Sequence, residues 1–202
     1  MIAVVDYGIG NLRSAEKALA HLGADARLTG DPDEIDAAAA VVLPGVGAFG
    51  ACMTALRSRG LHDAARAAAT DGRPFLGICV GMQMLFEGSD ESPGEPGLGV
   101  LAGRVTRLPA GVRLPQMGWN TLEAVAGTRL TAGLPAPAWL YFVHSFAADP
   151  ADDTVVAGWC DYGRRFAAAV EQGPLWATQF HPEKSGAVGL ALLRNFVEAA
   201  AA

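Results

Sequence analysis

Through the first half of the chain, short apolar runs alternate with stretches where apolar residues return every three or four positions. The runs at 2–5, 41–43 and 75–78 are apolar throughout apart from Gly77, and they read as buried strands. Pro44-Gly45 stops the second of them. Residues 25–29 can form a further strand. Between the strands, Leu12, Ala15, Leu19 and Leu22 recur at helical spacing, and Gly23 supplies a stop. Residues 51–57, 61–69 and 80–87 read as helices in the same way. This alternation, with strands apolar on both sides, predicts a parallel sheet covered by helices on both faces.

The rhythm changes near Gly88. Residues 88–99 are rich in Gly, Pro and acidic side chains and predict a surface loop. Short runs follow at 100–107, 139–143, 154–159, 166–170 and 175–180, with a hairpin-like turn at 161–164. These predict antiparallel strands that extend the sheet, and 189–200 closes the chain as a helix. With no internal repeat and no long linker, residues 1–202 read as one domain, long enough to bury a substantial core.

Composition narrows the class. Hydrophobic residues make up 51% of the chain, too many for disorder. A net charge of −6 argues against a nucleic-acid partner and against an anionic membrane surface. Three cysteines at wide spacings, Cys52, Cys79 and Cys160, do not make a disulfide framework and fit a reducing compartment. No basic leader precedes the first strand, and Pro and Gly interrupt every apolar run short of the ~18 residues of a membrane span. The expectation is a cytoplasmic protein.

Three segments carry candidate chemistry. Cys79 sits in Leu-Gly-Ile-Cys-Val-Gly between Gly77 and Gly81, after a strand and before a helix. That is the pattern of a nucleophile on a tight strand-to-helix turn, where the dipole of the 80–87 helix favours a thiolate. His181-Pro182-Glu183 follows an apolar strand. Pro182 disfavours helix at His181, and spacing two on an extended segment projects His181 and Glu183 to one side, so the carboxylate can orient the imidazole. Taken singly, each also fits a plainer role, an inert core cysteine and a solvated His and Glu at a strand end. The third segment, Gly45 to Gly50, spells G-x-G-x-x-G after a strand. A dinucleotide site is rejected, because the next strand ends in Cys79 rather than in an acid. An oxyanion hole is the better use, with the N–H of Val46 or Gly47 and that of Val80 aimed at one carbonyl oxygen. A turn with no ligand is the alternative.

The glycine-flanked Cys79, the downstream His-Pro-Glu and the Pro-Gly-Val-Gly turn resemble class I (triad) glutamine amidotransferases. Five further runs, in order from about residue 2 to residue 196, are similar to the family of glutaminase subunits of imidazole glycerol phosphate synthases. They are Asp-Tyr-Gly-Ile-Gly-Asn-Leu at 6–12, Gly-Ile-Cys-Val-Gly-Met-Gln at 77–83, Met-Gly-Trp-Asn at 117–120, Tyr-Phe-Val-His-Ser at 141–145 and Gln-Phe-His-Pro-Glu-Lys-Ser at 179–185. The resemblance implies a flavodoxin-like α/β fold, an open mixed sheet with a parallel core and an antiparallel extension in the C-terminal half. It implies Cys79 as nucleophile, His181 as acid–base and Glu183 as its partner. Gly45, Val46 and Gly47 match the family's oxyanion strand, and Gly45, Gln83, His144 and Ser145 positions around the substrate. Asn11, Trp119 and Lys184 match the face that meets a synthase partner. Two departures stand out: Gln116, where many relatives have His, and Phe146, where Tyr is common.

The same resemblance implies glutamine hydrolysis through a cysteinyl thioester, with no metal or other cofactor. A glutaminase without its own acceptor site needs a docked partner, because ammonia released into neutral water is mostly protonated. The implied partner is a (β/α)8-barrel cyclase, joined as a heterodimer. Rival readings are a class I glutaminase serving another acceptor, for pyridoxal phosphate or purine synthesis, and a non-catalytic cysteine sensor of the same fold.

Overall fold

The computed structural model describes residues 1–201. In chain order the first half runs β1 (Ile2–Val5), α1 (Leu12–His21), β2 (Ala26–Thr29), α2 (Pro32–Asp36), β3 (Ala40–Gly45), α3 (Phe49–Ser58), α4 (His62–Ala68), β4 (Phe75–Cys79) and α5 (Val80–Gln83). The second half adds β5 (Gly103–Arg107), β6 (Gln116–Ala124), β7 (Ala138–His144), β8 (Phe146–Pro150), β9 (Val156–Asp161), β10 (Arg165–Gln172), β11 (Leu175–Thr178) and α6 (Gly186–Ala201).

Every residue of β1, β3, β4 and β11 is buried, because these strands have neighbours on both edges and helices over both faces. The sheet order is β2-β1-β3-β4-β11-β10-β9-β6-β7, with β5 and β8 paired beside β10. From β2 to β11 the neighbours are parallel. Beyond β11 they are antiparallel. The chain thus has the expected open mixed α/β sheet. Among the described residues, no helix is long and apolar enough to cross a membrane.

The strand order reverses at β1: the chain steps to β2 on one side, then to β3 and β4 on the other. With right-handed connections, α1 covers one face and α3 with α4 the other. In agreement, α1 packs with α6, while α4 packs with α2 and α3. The reversal leaves a crevice at the carboxyl ends of β1 and β3, where open α/β sheets bind ligands.

Several expectations need correction. Pro44-Gly45 does not end the third strand, which runs to Gly45 in register with Cys79. The Pro44 carbonyl accepts the Tyr7 hydroxyl at 2.8 Å, on the side where pairing to β1 has already stopped at Val42. Pro44 nitrogen faces the same way, so its missing N–H breaks no ladder bond. The helix after Cys79 is one turn, Val80–Gln83, rather than 80–87. The carbonyls that would continue it are taken from outside: Leu98 N–H bonds Met84 O, Val100 N–H bonds Leu85 O and Gly97 N–H bonds Glu87 O. Leu85 and Phe86 are both fully buried, which this wrapped loop permits. The loop at 88–99 lies at the surface, as expected, with its backbone bonded to the segment that follows α5.

Candidate active site

The carboxyl ends of β3, β4 and β11 and the turn after β1 meet around a cavity of about 430 Å³. Cys79 lies at its floor, 3% exposed. It is the last residue of β4 and has φ +56° and ψ −111°, a conformation L-residues rarely hold. The neighbours enforce it. A Cβ at Gly81 would run into the Leu43 carbonyl oxygen, so β3 lies directly against the first turn of α5, and only glycine fits there. With α5 only four residues long, the expected dipole of a full helix shrinks to the N–H groups of one turn.

His181 follows β11, and its backbone is extended at φ −99° and ψ 97°. The segment does not stay extended, as expected, through Glu183. A 3-10 turn starts at Pro182 and folds Glu183 back under the imidazole. His181 Nδ1 and Glu183 Oε1 lie 2.8 Å apart, and both side chains are 1% exposed. The turn is tied to β7: His181 N–H bonds Tyr141 O at 2.9 Å. Ser185 Oγ donates to His181 O at 2.6 Å and accepts Tyr141 N–H at 3.0 Å.

Asn11 extends the chain of bonds. Its Nδ2 donates to Glu183 Oε1 at 3.0 Å, while Ser14 Oγ donates to Asn11 Oδ1 at 2.8 Å. Burial disfavours charge on His181, yet the neighbouring Cys79 and Glu183 outweigh it and hold its pKa up, at about 9. Burial also works against the Glu183 carboxylate, but His181 and Asn11 hold its pKa below the usual range. His181 Nε2 is buried with no hydrogen-bond partner among the described residues. Nδ1 donates to Glu183, so Nε2 is the nitrogen left for chemistry beside the sulfur.

Val46, Gly47 and Val80 line the same cavity. Among the described residues the N–H groups of Val46 and Gly47 have no backbone acceptor. The turn is held from behind, since Tyr7 Oη donates to Pro44 O and Cys52 Sγ lies 3.3 Å from Val46 O. Gly45 belongs to this scaffold rather than to the wall. It is buried in β3, beside Gly81, Tyr7 and Val80, and does not reach the cavity.

Gln83, His144, Ser145 and Phe146 line the far wall, and Asn11 and Lys184 the rim. His144 Nδ1 lies 2.8 Å from Phe146 O, and Nε2 lies 3.0 Å from Gln116 Oε1. Burial dominates and lowers the His144 pKa to about 4. The ring is therefore neutral, with one N–H, given to Phe146 O. The Gln116 amide must then turn its nitrogen toward Nε2. Gln116 thus acts behind His144, away from Cys79. Trp119 lies outside the cavity, 54% exposed on β6, edge-to-face with Tyr141.

Gly10 and Val143 also line the cavity without having been foreseen, and two further unforeseen residues bring polar groups to the site. Glu91, from the 88–99 loop, lines the wall and accepts Phe49 N–H at 2.7 Å. Gln179 is fully buried, with Nε2 3.8 Å from Cys79 Sγ. Its place in the Gln-Phe-His-Pro-Glu run was the sequence signal for Gln179. Among the described residues, no cluster of three or more His, Cys, Asp or Glu side chains is placed to hold a metal ion.

Residues 3–200 match the glutamine amidotransferase class-I family. The imidazole glycerol phosphate synthase subunit HisH of Methanothermobacter thermautotrophicus is 52% identical over 198 residues, 98% of this chain and 98% of that one. The subunit of the same name from Desulfitobacterium hafniense is 49% identical over 196 residues, 97% of this chain and 93% of that one. A solved glutamine amidotransferase structure superposes with a TM-score of 0.78 at 25% identity, covering 100% of both chains.

Proposed function

The chain belongs to the class I glutamine amidotransferase family, and from that premise we propose that it is the ammonia-producing half of an imidazole glycerol phosphate synthase. It hydrolyses glutamine to glutamate and ammonia. The ammonia passes to a (β/α)8-barrel cyclase, which makes imidazole glycerol phosphate and aminoimidazole carboxamide ribotide in histidine biosynthesis. Relatives of that name, about half identical over nearly the whole of both chains, support this acceptor over others. We place the protein in the cytoplasm, as a single domain.

The observation that carries the catalytic reading is the Asn11–Glu183–His181 chain of hydrogen bonds ending at a free, buried Nε2 beside Cys79. The cavity is at the small end of ligand sites and suits one amino acid. Cys79 sulfur attacks the carboxamide carbon of glutamine. The N–H groups of Val46, Gly47 and Val80 receive the oxyanion, one such donor being worth ~3 kcal/mol in a transition state. The C–N bond breaks as His181 Nε2 gives its proton to the leaving nitrogen, which departs as ammonia and leaves a γ-glutamyl thioester. Neutral His181 then takes a proton from water, the oxygen attacks the thioester, and glutamate leaves with the sulfur restored. Glu183 keeps the ring oriented throughout. Gln83 and Glu91 present oxygens to the substrate ammonium.

The test is glutamine hydrolysis by the purified chain, alone and with a barrel cyclase plus its nucleotide. Hydrolysis is expected to be weak alone, to rise with the loaded partner, and to vanish in Cys79→Ala. Substantial activity in Cys79→Ala would overturn the assignment of the nucleophile.

A further inference from the structure

Gln179 and Gln83 form a buried amide relay that ends on the reactive sulfur. Gln83 Nε2 lies 3.0 Å from Phe146 O and 2.9 Å from Gln179 Oε1. Gln179 Nε2 lies 3.8 Å from Cys79 Sγ. Gln179 is fully buried and Gln83 3% exposed.

The direction of the relay is forced from one end. A backbone carbonyl can only accept, so Phe146 O compels Gln83 to turn its NH2 toward β8. The second hydrogen of that NH2 then meets Gln179, which must answer with its oxygen. The Gln179 NH2 is left facing Cys79 and cannot flip without breaking both bonds. The fold supplies the three anchors independently. Gln83 follows Cys79 by four residues on the single turn of α5, Phe146 opens β8, and Gln179 follows β11, with its backbone N–H held by Ala168 O at 2.8 Å.

We propose that Gln179 is a further catalytic residue, whose side-chain N–H holds the Cys79 sulfur and favours its thiolate form, and that Gln83 is the positioning residue that aims it. A hydrogen bond to the charged form of a buried group is among the strong ones and stabilises that form. This inference rests on Cys79 being the nucleophile.

The titratable groups around the sulfur are His181 after β11, Tyr7 after β1 and Cys52 on α3, with His144 on β7, Glu91 and Lys184 farther along the wall. Burial pushes Tyr7 and Cys52 upward and keeps both neutral. The variants below leave all of these side chains in place.

The experiment follows the rate of Cys79 alkylation by iodoacetamide across pH 5–10, read by mass spectrometry on the full-length chain. It compares wild type with Gln179→Glu, Gln179→Met, Gln83→Met and the double methionine variant. Gln179→Glu replaces the donor by an acceptor at nearly equal size, and its alkylation midpoint is expected to rise by about one pH unit or more. Gln83→Met is expected to raise it less. The double variant is expected to match Gln179→Met, because both changes remove one bond to sulfur. Glutamine hydrolysis with the partner present should fall in parallel.

Midpoints within about 0.2 pH unit of wild type in folded variants would overturn the relay while leaving the nucleophile in place. If the Gln179 variants fail to fold, Gln83→Met alone decides by the same criterion. Retained hydrolysis in Cys79→Ala is the separate result that removes the nucleophile itself.

Discussion

Among the described residues, Cys79 is the one non-glycine residue with positive φ, and the imidazole beside it carries the most consequential titration of the site. His181 is held up to about 9 from an ordinary 6.5. If its proton goes to the leaving nitrogen, glutamine hydrolysis falls as pH rises through about 9. Stability follows the same direction. The folded value lies above the unfolded one, so the contribution is full below about 6.5 and is lost as pH rises through about 9. Glu183→Gln keeps the shape but removes the charge, and the alkaline limb should then move to lower pH with a reduced maximum. The pH–rate profile of the partnered enzyme checks this, and a limb that stays put in Glu183→Gln would disprove the coupling. Cys79, His181 and Glu183 were picked out in the sequence by the glycines and proline beside them, although the 3-10 turn that brings Glu183 under the ring was not read there. Asn11 was read as a partner contact; the bond from its amide to Glu183, made from the cavity rim, was not read in the sequence.

Among the elements, α3 shows how the oxyanion turn is held. Its N-cap, Ala48, has no capping side chain. The 88–99 loop supplies the missing acceptors instead: Glu91 takes Phe49 N–H, and Ser92 Oγ takes Gly50 N–H at 3.1 Å. Ser92→Ala should cost about 1 kcal/mol of stability, as lost caps do, and speed amide exchange at Gly47 to Gly50. Denaturation and hydrogen-exchange measurements decide, and unchanged values in both would refute the cap. The same loop was read as surface and lies there, but its pattern did not show that its backbone ends α5 or that its side chains cap α3. Local pattern failed elsewhere. The strands β6 and β8 were not foreseen at all. In β6 only Gln116 and Leu122 are buried, so no alternation marks it, and pairing to β7 over seven residues makes it a strand. In α2, five residues are too few for a periodic signal, although Asp31 caps it and Pro32 opens it.

At the level of the entire molecule, the described residues leave an apolar patch of the sheet without cover. Met117, Trp119 and Trp139 are 66%, 54% and 50% exposed on β6 and β7, where Met117 pairs with Val143, Trp119 with Tyr141 and Thr121 with Trp139. Val143 also lines the cavity, so this face continues into the site, and Asn11 and Lys184 stand at the rim. The barrel cyclase is expected to cover it. Trp119→Ala should weaken that association by about 30-fold, in the range of an aromatic hot spot of ~2 kcal/mol, with the melting temperature unchanged. Calorimetric titration against the cyclase measures it, and undiminished affinity would exclude Trp119 from the interface.

The apolar runs, the Cys79 turn and the His-Pro-Glu segment are local chemistry, written over a few adjacent residues, and the letters alone determined them. The contacts of Asn11, Gln83, Glu91 and Gln179 are not local. Gln83 and Gln179 are 96 positions apart, and Asn11 and Glu183 are 172 apart. Polar side chains take their function from the partner they meet after burial. That partner is set by strand order and register, which no neighbouring residue records, so these assignments had to wait for the fold.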